Sequence, residues 1–79
     1  MNFENDCLRI LSSAAARNGR WLSLSSCAQY SGVSFKEVWR HVVYDDIDQY
    51  ADYYRYDYRI KRMGRTTFLA VMSRGYASQ

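Results

Sequence analysis

Apolar residues recur every three or four positions along the first part of the chain and every second position near its end. That change of period predicts helices followed by a β-hairpin. Phe3, Cys7, Leu8, Leu11, Ala14 and Ala15 share one helical face, with Asn2 placed to cap it and Glu4 and Asp6 near its positive end. Asn18 and Gly19 supply a left-handed stop, and Arg20, Trp21 and Leu22 suit a short strand. Ser23 then caps a second helix whose Leu24, Cys27 and Ala28 point inward, while Gln29 and Tyr30 stay near the surface.

Gly32 can take the positive φ that ends a helix and turns the chain, Val33 plugs the corner, and Ser34 with Glu37 three residues on has the form of a capping box. Val38 and Val42, four apart, form the inward stripe of a third helix that extends at least to Val43. Its end is ambiguous, because YDDIDQYADYY contains neither Gly nor Pro. Either the helix continues into Tyr50, or Asp45 or Asp46 caps a separate short helix carrying Ile47, Tyr50 and Ala51.

From Tyr54 the period is two. Tyr54, Tyr56, Tyr58 and Ile60 share one face, and Arg55, Asp57, Arg59 and Lys61 share the other. Thr66 to Ser73 alternates as well. A two-residue turn at Met63 and Gly64 pairs Tyr58 with Leu69 and Tyr56 with Val71, which brings the apolar faces together. The alternation marks the tyrosines as core-facing rather than as platforms for bases. Arg74 to Gln79 are expected to fray.

Seventy-nine residues suffice for one domain, 1–79, with a small core, and a chain this short leaves little reserve stability. An apolar content of 48% and the absence of proline fit a globular fold without linkers. Cys7 and Cys27 sit at or beside apolar helical positions, which suits buried thiols better than a disulfide framework or a metal spacing. The opening MNFENDCLRI lacks the basic and apolar regions of a signal peptide, and no run of about 18 apolar residues is present, so a cytoplasmic location without membrane contact is expected.

The net charge of +3 and pI near 9.0 are too modest to argue for nucleic acid alone. Their distribution is more informative. From Asp45 to Asp52 there are four acids and no base, whereas Arg55 to Arg65 holds five bases against Asp57. The sequence predicts an electrically two-sided molecule.

Ala28, Gly32, Val33 and Val38 follow the spacing of a helix-turn-helix, and with the basic hairpin signal the chain resembles the winged members of that family among small transcription regulators. The resemblance implies an α+β fold of three helices with a C-terminal β-hairpin wing, binding double-stranded DNA. Its third helix would enter the major groove with Ser34, Lys36 and Arg40, and its wing would offer Arg59, Lys61, Arg62 and Arg65. Arg40 is the best base reader of the set, because a guanidinium can grip guanine through two parallel hydrogen bonds. Ser23, Ser25 and Ser26 add potential phosphate contacts, although capping explains them better. Three features depart from the family pattern: His41 stands at an aliphatic slot, Phe35 and Trp39 lie on the outer face, and the acidic segment after the third helix replaces a brief connection.

Those aromatics motivate a second expectation, a phage- or plasmid-type inhibitor of the same fold that binds a protein partner through Phe35, Trp39, Asp45, Asp46 and Asp48. A homodimer is compatible with either reading. No Gly-rich phosphate loop and no nucleophile–base arrangement point to an enzyme, and no cofactor is implied. His41 reads as a packed histidine with no ligand-spaced Cys, His or carboxylate beside it, so no metal is expected.

Overall fold

In a computed structural model the protein is described over residues 3–44 and 46–74. The expected Asn2 cap, Asp45 and residues 75–79 lie outside that range, as do the side chains of Phe3 and Asp46. The elements run α1 (Phe3–Ala15), β1 (Leu22–Ser23), α2 (Leu24–Ser31), α3 (Phe35–Val43), α4 (Asp46–Tyr53), β2 (Tyr56–Met63) and β3 (Thr66–Ser73). Among the described residues the fold is α+β, with four helices rather than three and an antiparallel sheet of order β1-β3-β2.

The extra helix resolves the ambiguous acidic segment. α3 ends at Val43, and α4 is a separate two-turn helix that buries Ile47 and Ala51 against α1 and α3. α1 is the central strut. Cys7, Ile10, Leu11 and Ala14 are buried on it, and it touches α2, α3, α4 and β3. Ile10 joins the stripe that the periodicity predicts, and Leu8 is only half-buried.

The corner between α2 and α3 follows from its residues. Gly32 has φ +77°, its N–H donates to the Ala28 carbonyl at 2.9 Å, and Val33 is buried behind it. Ser34 Oγ accepts from the Glu37 N–H at 3.3 Å. The Glu37 carboxylate is directed at Arg40 and His41, so the box is a serine cap with its acid engaged elsewhere. Ser23 caps α2 in the same way, accepting from the Ser26 N–H at 3.1 Å.

The hairpin register differs from the expected one by two residues. Tyr58 pairs with Val71, Ile60 with Leu69 and Met63 with Thr66, leaving Gly64 and Arg65 as the turn. Gly64 has φ +63° and Arg65 has no positive φ, which is the pattern of a turn with glycine at its first central position. A shift of two keeps every side chain on its face, so Leu69 and Val71 still enter the core, with Tyr56 and Tyr58 packed beside them. Tyr54 is not in the strand, because the left-handed Arg55 (φ +64°) intervenes before β2. The short strand is Leu22–Ser23, paired with Leu69 and Phe68, rather than Arg20–Leu22. Arg74 is tied down instead of frayed. Its N–H donates to Arg55 O at 2.8 Å and its guanidinium meets Asp57 at 3.1 Å.

Both cysteines are free and buried. Burial pushes the Cys27 thiol from an ordinary 9.0 up to about 11. The unfolded chain therefore loses this proton more readily than the folded one. Cys27 favours folding fully below about pH 9, and its contribution falls away as the pH rises through about 11. A thiol reagent at pH 8 should leave native Cys27 unmodified and label it at once after denaturation; rapid labelling of the native chain would contradict its burial.

Candidate nucleic-acid interface

The two ends of the sheet differ in the charge that lines them. On the α4 side, Asp48, Asp52 and Asp57 surround a shallow hollow with Tyr58 and Arg74. Asp48 accepts from the Tyr58 hydroxyl at 2.8 Å. Nearby, the Tyr54 hydroxyl donates to Glu4, and that bond pushes the phenol up to about 12. Asp48 lines this acidic hollow, whereas Phe35 and Trp39 line a different cleft.

At the other end, α3 and the hairpin tip face each other across a cleft of about 260 Å³. Phe35 and Trp39 form one wall, Arg62, Arg65, Thr66 and Thr67 the other, and Ser25 at the start of α2 adds to the lining. The geometry follows from two periods. Positions 35 and 39 are one helical turn apart and share a ridge, while strand alternation turns Arg62 to the face that Ile60 and Tyr58 present to the helices. Trp39 is half-exposed and is steadied by Tyr44, whose ring meets it edge-on at 5.7 Å.

The expected DNA-contact residues divide into four groups. Arg62 and Arg65 join α3 at the cleft. Lys36 and Arg40 are four apart on the ridge next to Phe35 and Trp39; Lys36 is exposed, whereas Arg40 Nη1 lies 3.5 Å from Glu37 Oε1. Ser34 is exposed, with its hydroxyl already accepting as the cap of α3.

Arg59 and Lys61 are elsewhere. Strand alternation sends them to the outer sheet face, where Lys61 Nζ sits 4.4 Å from the Trp21 ring centroid and 5.9 Å from that of Phe68, and Arg59 lies 5.8 Å from Trp21. Trp21 covers this face from beside β1. The five-base run thus supplies two separate surfaces, and only its tip faces α3.

One constellation is not predicted by the sequence pattern. His41 is fully buried on α3, with its Nε2 3.8 Å from Asp6 Oδ2 of α1 and 3.9 Å from Glu37 Oε1. Contrary to the expectation of no ligand-spaced carboxylate, Glu37 stands one turn before His41 on the same helix. Asp6 comes from a distant element, and only tertiary packing reveals it. The donor atoms of all three residues lie within 4.8 Å of one another.

Comparison of this chain with protein-family models, with curated proteins and with solved structures returned no match. No helix among the described residues is long and apolar enough to cross a membrane.

Proposed function

We propose that this chain is a non-catalytic DNA-binding regulator, arranged as a winged helix-turn-helix with α2–α3 as the helix pair, β2–β3 as the wing and α4 as an addition. The observation that carries the reading is that Arg62 and Arg65 of the hairpin share a cleft with the exposed ridge of α3. A helix and a cationic ribbon on one side of a compact body fit the major groove and the flanking phosphates of a duplex. Lys36 extends that charge along α3, and Arg40 is available to a guanine edge once it exchanges Glu37 for the base. Asp48 and Asp52 of α4 lie at the opposite end of the sheet, away from the phosphates.

Fluorescence anisotropy with a mixed-sequence duplex tests the reading. Binding is expected at low salt, with log K falling linearly against log salt. No binding to any duplex at low salt would refute it.

A second reading has one specific observation in its favour. Phe35, Trp39 and Tyr44 are 51%, 42% and 66% exposed, which is a large aromatic display for a surface that meets phosphates. A protein partner that buries these rings explains the display directly. The two readings separate on Trp39→Ala, which should abolish capture of a protein partner while leaving the salt slope of duplex binding intact.

A further inference from the structure

We propose that Asp6, Glu37 and His41 form a binding site for a divalent transition-metal ion of the Zn²⁺ class, joining α1 to α3. Three observations support it. The donor set is one imidazole nitrogen and two carboxylates, a combination that suits borderline cations such as Zn²⁺. The donors converge from two separate helices, and their ligand atoms all lie within 4.8 Å of one another. His41 is completely buried while Asp6 and Glu37 are about a quarter exposed at the side chain, so the nitrogen is fixed from inside and the oxygens close the site from the solvent side.

The distances are compatible with capture. Ligand bonds of about 2.0–2.2 Å put the donors of a tetrahedral ion roughly 3.4 Å apart. The two approaches to His41 Nε2, 3.8 Å and 3.9 Å, are slightly wider than that, and the two carboxylate oxygens lie within 4.8 Å of each other. Small rotations of the two partly exposed carboxylates close the difference. Two carboxylates balance the charge of a divalent ion, and the neutral imidazole completes a three-ligand set that leaves a fourth position for water. Arg40 also reaches the site: it shares Glu37 Oε1 with His41 and must yield that oxygen when the ion binds.

The competing explanation is purely structural: His41 held between two acids with no ion bound. The experiment uses the untagged full chain with Zn²⁺ and Co²⁺ alone as probes. Expected are a melting temperature that rises with micromolar Zn²⁺ and saturates at one ion per chain, and a visible Co²⁺ absorption of the four-coordinate type without a thiolate charge-transfer band. His41 variants risk unfolding, so Asp6→Asn and Glu37→Gln carry the test. Each should weaken Co²⁺ binding by roughly tenfold or more, since loss of a direct ligand costs at least as much as loss of an outer-shell partner. An unmoved melting temperature with an aqua-ion Co²⁺ spectrum overturns the proposal. Binding that survives Asp6→Asn overturns it too, and a thiolate band would assign the ion to Cys7 and Cys27 instead.

Discussion

Leu69→Ala should leave the protein only marginally stable at 37 °C. Leu69 is fully buried on β3, the central strand, where it is paired with Leu22 on one side and Ile60 on the other. It therefore holds together the sheet and the layer of helices beneath. Truncating a buried leucine removes transfer energy and opens a cavity, costing about 2–5 kcal/mol. Total stability for small domains is about 5–15 kcal/mol, and a chain of this size belongs at the lower end. Thermal denaturation should show a fall in midpoint of roughly 10–30 °C. Met63→Ala is the control: this side chain is 59% exposed beside the turn, and its loss should change stability by no more than about 0.5 kcal/mol. If Leu69→Ala melts within a few degrees of the parent, the core has been wrongly centred.

The second large effect concerns the cleft. Arg62→Gln combined with Arg65→Gln should weaken duplex binding roughly tenfold or more at low salt and lower the slope of log K against log salt by about 2, one for each phosphate that is no longer neutralised. The informative control is Arg59→Gln with Lys61→Gln. It removes the same charge from the same hairpin, but from the face covered by Trp21. Net charge alone would make the two pairs equivalent, whereas a geometric interface makes the first matter and the second nearly silent. Equal slopes in anisotropy titrations of both double variants would count against an interface at the cleft.

How much of the fold is legible in the sequence depends on the distance over which the determinants act. The corner between α2 and α3 is local: Gly32 and Ser34 set it through their own backbone and hydroxyl, and both behave as their types require. The hairpin is half-legible. Alternation fixes which residues share a face, but moving the turn from Met63–Gly64 to Gly64–Arg65 shifts the register by two and conserves that pattern, so alternation does not choose between them. The glycine's place within the turn decides it.

The fourth helix is obscured because no Gly or Pro punctuates the segment after Val43, and burial of Ile47 and Ala51 against distant partners is what separates α4 from α3. At the candidate sites, alternation already places Arg59 and Lys61 on different faces from Arg62 and Ile60. The core-facing tyrosines also indicate which face meets the helices, but nothing indicates that α3 is the helix beside the tip. Asp6 beside His41 is similarly invisible, since nothing local connects the first turn of α1 with the last turn of α3.

Ser23 has a double duty: it pairs with Phe68 at the edge of the sheet, and its hydroxyl caps α2. The ribbon and the helix pair are thus tied at one residue in addition to their shared core, like the two arms of a fixed caliper. If the proposed duplex binding holds, DNA entering between α3 and the hairpin tip would meet a gap set before contact, so that groove width would be selected ahead of sequence.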